Sequence, residues 1–182
     1  MRYGWARAAA APILALALAA CGDRTGAPDE AAAENLRAAE FFLASNARAK
    51  DVSVLPSGVQ YKVLTSGPSG GARPDSNDLV RVDYEGSLTD GTVFDSSFER
   101  GQPAVFTTED GIPGLSVVEG WRDALQAMRV GDEWIVYLPP SKGYGAEGQG
   151  EIPPNSVLVF RLKLLDMDSI PGGTTATETA NG

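Results

Sequence analysis

Apolar and polar residues alternate with a period of two in several stretches between residues 57 and 167. This period is typical of half-buried antiparallel strands. Residues 133–138 form another β-rich run, and Asp90-Gly91 is a strong hairpin signal. We therefore expect an antiparallel sheet. The alternating apolar positions are Val59, Tyr61 and Val63; Val80, Val82 and Tyr84; and Leu158, Phe160, Leu162 and Leu164.

One stretch within this region has the period of a helix. Trp121, Ala124, Leu125 and Met128 lie three and four residues apart, which places them on one helical face. Gly131 follows them and suits a left-handed helix stop. A single short helix covers only one face of a sheet. The pattern therefore predicts an α+β domain in which a curved antiparallel β-sheet wraps around one short α-helix.

A further amphipathic helix is predicted upstream, over roughly residues 32–48. Leu36, Ala39, Phe42 and Leu43 recur there at helical spacing, with Phe41 beside them. Such a helix either packs on its own domain, which is the simpler interpretation, or forms a dimer interface.

The first twenty residues have the composition of a targeting segment. Arg2 and Arg7 precede an apolar run that ends in small residues before Cys21. This order is typical of a secretory signal peptide, and the run is short and alanine-rich for a spanning helix. Leu-Ala-Ala-Cys at residues 18–21 resembles the bacterial lipobox, which implies that Cys21 is acylated and tethers the chain to a membrane. The alternative is an ordinary cleaved signal with an incidental cysteine.

These patterns predict five segments along the chain. Residues 1–20 form a lipoprotein-type signal peptide, residues 21–33 a flexible tether and residues 34–56 a helical lead-in. Residues 57–167 form the folded domain, and residues 168–182 form a disordered tail. The tether and the tail are predicted from their small, polar composition.

The composition excludes several classes of function. Lys and Arg total 15 against 24 Asp and Glu, a net charge of −9, so no basic patch exists to neutralise nucleic-acid phosphates. The chain has no histidine, which removes the commonest general base and the commonest metal ligand. Its single cysteine forms neither an intramolecular disulfide nor a cysteine-rich zinc site. We therefore expect no nucleic-acid partner, no metal and no cofactor.

The remaining candidate chemistry lies in carboxylates and aromatic rings. Asp83, Glu85 and Asp95 lie near strand ends, but nothing fixes two of them across a cleft, as glycoside hydrolysis requires. Ser96 and Ser97 follow Asp95, so this carboxylate either helps to shape a site or caps the strand end. Any single aromatic residue fits a core position. As a group, the rings at strand ends and in loops need another explanation: Tyr84, Phe94, Phe106, Trp121, Tyr144 and Phe160.

The neighbours of these rings form motifs in a recognisable order. They are Val-Asp-Tyr-Glu-Gly-Ser-Leu (82–88), Asp-Gly (90–91), Phe-Asp-Ser-Ser (94–97), Glu-Arg-Gly-Gln-Pro (99–103), Val-Glu-Gly-Trp (118–121), Tyr-Gly (144–145) and Ile-Pro-Pro-Asn-Ser (152–156). Their order and spacing resemble the FKBP-type peptidyl-prolyl cis–trans isomerases, in the bacterial lipoprotein form. The resemblance covers residues 57–167, nearly all of the predicted domain.

The resemblance implies a pocket that binds a proline ring. Trp121 is its expected floor, and Tyr84, Phe94 and Phe160 are its expected walls. The further substrate-binding residues that the resemblance implies are Phe106, Val117, Val118 and Ile152.

The resemblance also implies the polar contacts of this pocket. The Tyr144 hydroxyl and the Val118 backbone N–H are expected to donate hydrogen bonds to carbonyl groups of the substrate. Asp95 is expected at the rim, where it accepts a hydrogen bond from Tyr84 and orients polar groups without acting as a base.

Three positions depart from the family pattern. Ala104 stands where some members carry another aromatic wall, so that side is expected to be more open. Residues 107–116 form a longer loop, whose Ile-Pro-Gly competes for alignment with Val118-Glu119-Gly120; the latter is preferred because Trp121 and its helix follow. The loop after Tyr144 is charged and one residue shorter than in some relatives.

The function implied is a peptidyl-prolyl cis–trans isomerase that acts on exported polypeptides without covalent or acid–base catalysis. Its implied partners are proline-containing polypeptides and, through a lipid on Cys21, a membrane; tacrolimus-like macrolides are candidate ligands. The implied location is the bacterial cell envelope, facing the periplasm, and Gly22 after the cysteine favours the outer membrane. The alternatives are a non-catalytic proline-binding or chaperone lipoprotein that uses the same groove, and a structural lipoprotein of the envelope.

Overall fold

The computed structural model describes residues 27–171. The predicted signal peptide, Cys21 and residues 172–182 of the predicted tail lie outside the described residues. The helices are α1 (Ala27–Asn46), α2 (Ser97–Arg100) and α3 (Glu119–Ala127), with a 3₁₀ turn at Pro140–Lys142. The strands are β1 (Ser53–Val54), β2 (Gln60–Thr65), β3 (Leu79–Leu88), β4 (Val93–Ser96), β5 (Ala104–Thr107), β6 (Glu133–Leu138) and β7 (Leu158–Asp168).

The seven described strands form one antiparallel sheet, which confirms the predicted α+β class. The strand order is β1-β2-β6-β7-β3-β4, and β5 pairs with the other half of β3. The longest ladder joins β3 to β7, from Leu79 opposite Asp168 to Leu88 opposite Leu158. The Asp90-Gly91 hairpin joins β3 to β4 as predicted, and Gly91 has a φ of 89°, in the left-handed region that suits glycine.

The alternation of apolar residues places one face of the sheet in the core. Val82, Leu162 and Leu164 are fully buried, as the period of two predicts. Val63 differs, because it is 41% exposed. The reason is the length of β1, which pairs only with Gln60 and Tyr61 of β2 and leaves the rest of that edge uncovered.

The helix α3 supplies the other half of the core. Trp121, Ala124, Leu125 and Met128 are all buried there, on the single face that their spacing predicts. Gly131, however, does not end the helix. The helix ends at Ala127, and the Met128 N–H donates to the Ala124 and Leu125 carbonyls.

Gly131 serves the turn that follows α3. It has a φ of 93° and donates its N–H to the Leu164 carbonyl at 2.8 Å. A Cβ at this position would approach the Gly67 Cα to 3.1 Å. The backbone conformation therefore favours glycine in this turn, and the close approach of Gly67 adds to that preference.

The helix α1 packs on its own domain, as the simpler prediction states. Ala39 is 5% exposed, and the Phe42 ring lies 6.0 Å from the Tyr137 ring. Tyr137 alternates with the buried Val136 and Leu138, so α1 contacts the sheet on the face opposite α3. Within residues 27–171, no helix is long and apolar enough to cross a bilayer.

Two predicted boundaries differ from the structure. The helix α1 begins at Ala27 rather than near residue 32, and so takes in part of the predicted tether. The alanines at residues 31–33 are small enough to suit a linker, but they are also strong helix formers. At the other end, β7 continues to Asp168, and the Ile170 N–H donates to Asp78 at 2.8 Å. Order therefore extends past the predicted start of the tail at residue 168.

The burial of α3 generates a prediction for stability. Leu125→Ala removes a fully buried side chain, so we expect it to lower the free energy of unfolding by about 2–5 kcal/mol. Leu36→Ala is the matched helical control, since Leu36 is 41% exposed, and its expected cost is about 1 kcal/mol at most. Urea unfolding measures both values. Equal costs for the two variants would contradict the burial of α3 against the sheet.

Candidate functional site

The predicted aromatic residues converge on one concave pocket of about 430 Å³. Its lining comes from the concave face of the sheet, the start of α3 and the loops around them. Nine of the ten residues predicted from the sequence lie in this lining, and Ile152 does not. The lining residues are Tyr84, Phe94, Asp95, Phe106, Ser116, Val117, Val118, Trp121, Tyr144, Gln149 and Phe160.

Trp121 lies at the base of the pocket and is 4% exposed. Three rings meet its indole nearly edge-on, with centroid distances of 5.0 Å for Tyr84, 5.5 Å for Phe106 and 5.1 Å for Phe160. Edge-to-face pairs at these distances are mutually attractive, so the four rings hold one another in place. The indole N–H is buried and has no hydrogen-bond partner among the described residues.

Phe94 and Phe160 form a second edge-to-face pair, at 5.6 Å and 85°. Both rings pack directly over the backbone of Gly86 in β3. A Cβ at Gly86 would lie 2.6 Å from both the Phe160 and the Phe94 ring, a distance that real contacts do not show. Sequence reasoning missed this residue, although a glycine inside a strand pattern is a signal for the close approach of another group.

The rim of the pocket carries a three-residue polar network. The Tyr84 hydroxyl donates to the Asp95 carboxylate, as the resemblance implied. Arg100 forms an ion pair with the same carboxylate and donates to the Tyr84 hydroxyl at 2.8 Å. Its guanidinium also lies 5.4 Å from the centre of the Tyr84 ring. The Asp95 side chain is 43% exposed, so this ion pair orients the rim more than it stabilises the fold.

Local structure explains how Asp95 and Arg100 meet. The helix α2 is a single turn between β4 and β5, and it carries Arg100 back toward the preceding strand. The Ser96 hydroxyl caps α2 by accepting the Glu99 N–H, and the Ser97 hydroxyl accepts the Tyr84 N–H. The hydroxyls of Ser96 and Ser97 therefore cap the end of the strand. The Asp95 carboxylate takes no part in that cap and lies at the pocket rim. Arg100 was not predicted, although it lies within one of the quoted motifs.

The pKa values of the two tyrosines at the pocket are raised, whereas the pKa of Asp95 is lowered. Desolvation raises the pKa of Tyr84, and its hydrogen bond to Asp95 adds to that shift. Desolvation also opposes ionisation of Asp95, but hydrogen bonds from Tyr84 and Arg100, with the charge of Arg100, together hold its pKa below the usual value. Desolvation raises the pKa of Tyr144 as well, with a smaller effect from Asp95. The rim thus holds a carboxylate and two neutral phenols near pH 7.

Two hydrogen-bond donors that the resemblance singled out are free within residues 27–171, in addition to the buried Trp121 indole N–H. The Tyr144 hydroxyl bonds to no described residue, and neither does the Val118 N–H. Val118 is the N-cap of α3 with an extended backbone, and its carbonyl accepts the Trp121 N–H at 3.0 Å. Its own N–H is therefore outside the helical hydrogen-bond pattern. Both donors are available to a bound molecule.

Ser116 and Gln149 line the pocket without having been predicted. The Ser116 hydroxyl accepts the Ile112 N–H at 2.7 Å and donates to the Glu109 carbonyl, which folds the long 107–116 loop upon itself. That loop therefore contributes to the wall and does not fill the cavity. No sequence pattern marks either residue, because both reach the pocket through loop conformation.

Ile152 is the one predicted pocket residue that the structure places elsewhere. It is 8% exposed and packs in the hydrophobic core. Its backbone forms a pair of hydrogen bonds with Gln149, at 2.9 and 3.0 Å. Ile152 thus anchors the loop that carries Gln149, and Gln149 lines the pocket. Within residues 27–171, no group of three or more His, Cys, Asp or Glu is arranged to hold a metal ion.

Comparisons with known proteins agree with this geometry. The profile described as FKBP-type peptidyl-prolyl cis-trans isomerase matches residues 70–165, more than half of the chain. A second profile, described as the domain amino terminal to FKBP-type peptidyl-prolyl isomerase, matches residues 16–63.

Individual relatives are similar over most of this chain. The FKBP-type peptidyl-prolyl cis-trans isomerase FkpA of Aeromonas hydrophila is 44% identical over 77% of this chain and 49% of its own length. The outer membrane protein MIP of Legionella longbeachae is 41% identical over 75% of this chain and 55% of its own length. A crystal structure of a peptidyl-prolyl cis-trans isomerase from Pseudomonas syringae is 37% identical with a TM-score of 0.67, covering 78% of this chain and 97% of that one.

The chain spans about half the length of the first curated relatives that it matches. Its matched profile, its sheet order and the ring-lined pocket all point to one assignment. The chain belongs to the family of FKBP-type peptidyl-prolyl cis-trans isomerases.

Proposed function

We propose that the pocket binds a prolyl ring and accelerates cis–trans rotation of the Xaa-Pro bond in exported polypeptides. The observation that carries this proposal is the pairing of a four-ring aromatic base with two free hydrogen-bond donors. The aromatic faces suit the apolar pyrrolidine ring, and the donors suit the carbonyl groups on either side of it.

Rotation about a prolyl amide needs no proton transfer and no nucleophile. The barrier is about 18–20 kcal/mol, because amide resonance must be broken, and uncatalysed exchange takes roughly tens to hundreds of seconds. The twisted amide is less dipolar than the planar one, so a site that excludes water favours it. An acceleration of about 10⁵ would require roughly 7 kcal/mol of such differential stabilisation.

Each part of the pocket has a role in this mechanism. Trp121 forms the floor beneath the proline, with Tyr84, Phe94, Phe106 and Phe160 around it. The Tyr144 hydroxyl and the Val118 N–H hold carbonyl groups of the substrate, which positions the peptide in the pocket around the rotating bond.

Asp95 acts in this proposal as a shaping residue and not as a base. Its pKa is lowered, which makes it a poor proton acceptor near pH 7. Its two partners occupy the carboxylate already: Tyr84 and Arg100 both bond to it. The network fixes the Tyr84 ring, and through it the packing around Trp121.

A non-catalytic binding module or chaperone that uses the same groove is the rival function. Ala104 and the long 107–116 loop motivate it, since both depart from the family pattern. Tight binding of a proline peptide without acceleration of its isomerisation would favour this rival. Tacrolimus-like macrolides remain candidate ligands of the pocket under either function.

The proposed location is the bacterial cell envelope, with the domain facing the periplasm and a lipid on Cys21 as the anchor. One relative carries the name outer membrane protein, which supports the outer membrane as the site of attachment. The lipobox-like Leu-Ala-Ala-Cys and the following Gly22 support the same proposal.

The isomerase proposal predicts the outcome of a protease-coupled assay on Xaa-Pro peptides. We expect the full chain to accelerate isomerisation and the Phe94→Ala, Trp121→Ala double variant to lose at least about 100-fold in kcat/KM, because the ring that binds proline and its wall are both removed. Since Trp121 is also part of the core, Phe94→Ala alone serves as a second variant with an expected loss of about tenfold.

Phe41→Ala is the control, because this ring is 77% exposed on α1 and lies outside the pocket. It should leave kcat/KM unchanged. No acceleration by the wild-type chain, or equal rates for the wild type and the folded pocket variants, would rule the isomerase out.

The assignment of Asp95 predicts a flat pH profile. Between about pH 5 and 8 the lowered pKa of Asp95 and the raised pKa values of Tyr84 and Tyr144 all lie outside the range, so kcat/KM should not change. Asp95→Asn should cost less than about tenfold, whereas loss of a general base typically costs 10²–10⁴-fold. A loss of that larger size, with a profile that follows one ionisation, would show that Asp95 transfers protons.

The lowered pKa of Asp95 also determines how the stability of the fold changes with pH. A lowered pKa in the folded state means that the contribution of ionised Asp95 is complete above about pH 3.9, the usual value in the unfolded chain. It declines as the pH falls through the lower folded-state pKa. The difference in unfolding free energy between wild type and Asp95→Asn should therefore be constant near neutrality and shrink below about pH 4.

The anchor proposal predicts that radioactive palmitate labels the wild-type chain in bacterial cells and does not label Cys21→Ala. Cys21 is the single cysteine of the sequence, so no other thiol competes for the lipid. Label retained by Cys21→Ala would contradict the anchor and leave the isomerase proposal untouched.

A further inference from the structure

The helix α1 is joined to the pocket through a short path of hydrogen bonds. The path begins with two asparagines that bond reciprocally between α1 and the segment before β7. The Asn35 side chain donates to the Pro154 carbonyl at 3.0 Å, and the Asn155 side chain donates to the Ala32 carbonyl at 2.9 Å. We call this reciprocal pair the amide clamp.

Asn155 carries the path onward from the clamp to the pocket loop. Its φ is 57°, in the left-handed region where asparagine is enriched, and its N–H donates to the Gly145 carbonyl at 2.8 Å. One residue thus contacts α1 through its side chain and the loop through its backbone.

Gly145 directly follows Tyr144, whose hydroxyl is a free donor of the pocket. The loop is closed by further bonds, from the Gly145 N–H to the Pro140 carbonyl and from the Gly148 N–H to the Tyr144 carbonyl. The same loop brings Gln149 into the lining. The position of the Tyr144 ring therefore depends on a loop held at one end by the clamp.

We propose that α1 is a positioning element of the pocket: through the amide clamp it fixes Asn155 and Gly145, and so holds Tyr144 in place for the substrate carbonyl. The proposal rests on the proposed function, because it assigns a role in substrate positioning. It makes Asn35 and Asn155 positioning residues. A displacement of a binding group by about 1 Å is enough to cost up to 100-fold in rate.

The far end of α1 provides a matched control. The Asn46 side chain donates to the Gln60 side chain at 2.9 Å, and Gln60 donates to the Leu43 carbonyl. These bonds also dock α1 on the sheet, but they contact β2 and not the pocket loop. Asn46→Ala therefore weakens docking of the helix without touching the path to Tyr144.

The test compares the clamp-free variant, Asn35→Ala with Asn155→Gly, with Asn46→Ala in the full chain. Glycine adopts the left-handed conformation without strain and retains the N–H of residue 155, so the clamp is removed without forcing a change in the backbone. We expect the clamp-free variant to lose about three- to tenfold in kcat/KM on an Xaa-Pro peptide, and Asn46→Ala to lose less than about twofold.

A mutant cycle with Tyr144→Phe distinguishes positioning from general loss of stability. If the clamp acts through the Tyr144 hydroxyl, removal of the clamp causes no further loss of kcat/KM in the Tyr144→Phe background. An equal loss in both backgrounds would overturn the proposal.

Amide hydrogen exchange gives a readout that does not depend on activity. The Gly145 and Gly148 N–H groups should exchange at least about threefold faster in the clamp-free variant and at the wild-type rate in Asn46→Ala. Unchanged exchange would overturn the coupling between α1 and the loop. If the wild-type chain shows no isomerase activity, the proposed function fails, and faster exchange would still establish the coupling.

Discussion

The edge-to-face packing of three rings around Trp121 is the interaction on which this structure depends. Trp121 is a residue of the hydrophobic core and also the base of the pocket, so the same contacts stabilise the fold and shape the site. A close-packed interior transmits any change in these rings to both. The pocket is therefore an unfilled continuation of the core, and its apolar character follows from the way in which the sheet and α3 pack.

The sheet makes this packing possible through the long register of β3 against β7. Tyr84 and Gly86 lie two residues apart on the same face, opposite Leu162 and Phe160. Tyr84 contributes a ring, whereas Gly86 leaves the space that the rings of Phe94 and Phe160 occupy. A shift of one residue in this register would turn both positions to the opposite face, so the ladder that builds the fold also fixes the pocket.

Sequence patterns predicted the strands and α3, which depend on periodicity, but they did not predict which loop residues face the pocket. The strand alternation and the α3 spacing gave the fold class because burial imposes a period of two or about 3.6. The resemblance located the rings of the pocket, since their motifs are separated but ordered. The prediction placed Ile152 in the lining, where the structure does not place it, and it missed Ser116 and Gln149. A loop has no period, and its backbone hydrogen bonds decide which side chain faces the cavity. The alanines before Leu36 were ambiguous, because small residues suit both a linker and a helix.

The rim shows how a carboxylate is accommodated beside an apolar site. Asp95 borders a cavity with aromatic walls, where an unpaired carboxylate would be costly to desolvate. Arg100 balances its charge, and Tyr84 satisfies it with a hydroxyl hydrogen bond. Desolvation raises the pKa of Tyr84 and the hydrogen bond to Asp95 adds to that shift, whereas the hydrogen bonds from Tyr84 and Arg100 hold the pKa of Asp95 below its usual value. Because Asp95 is ionised and Tyr84 is neutral near pH 7, the network keeps the same charges, and with them the same hydrogen bonds, around neutrality.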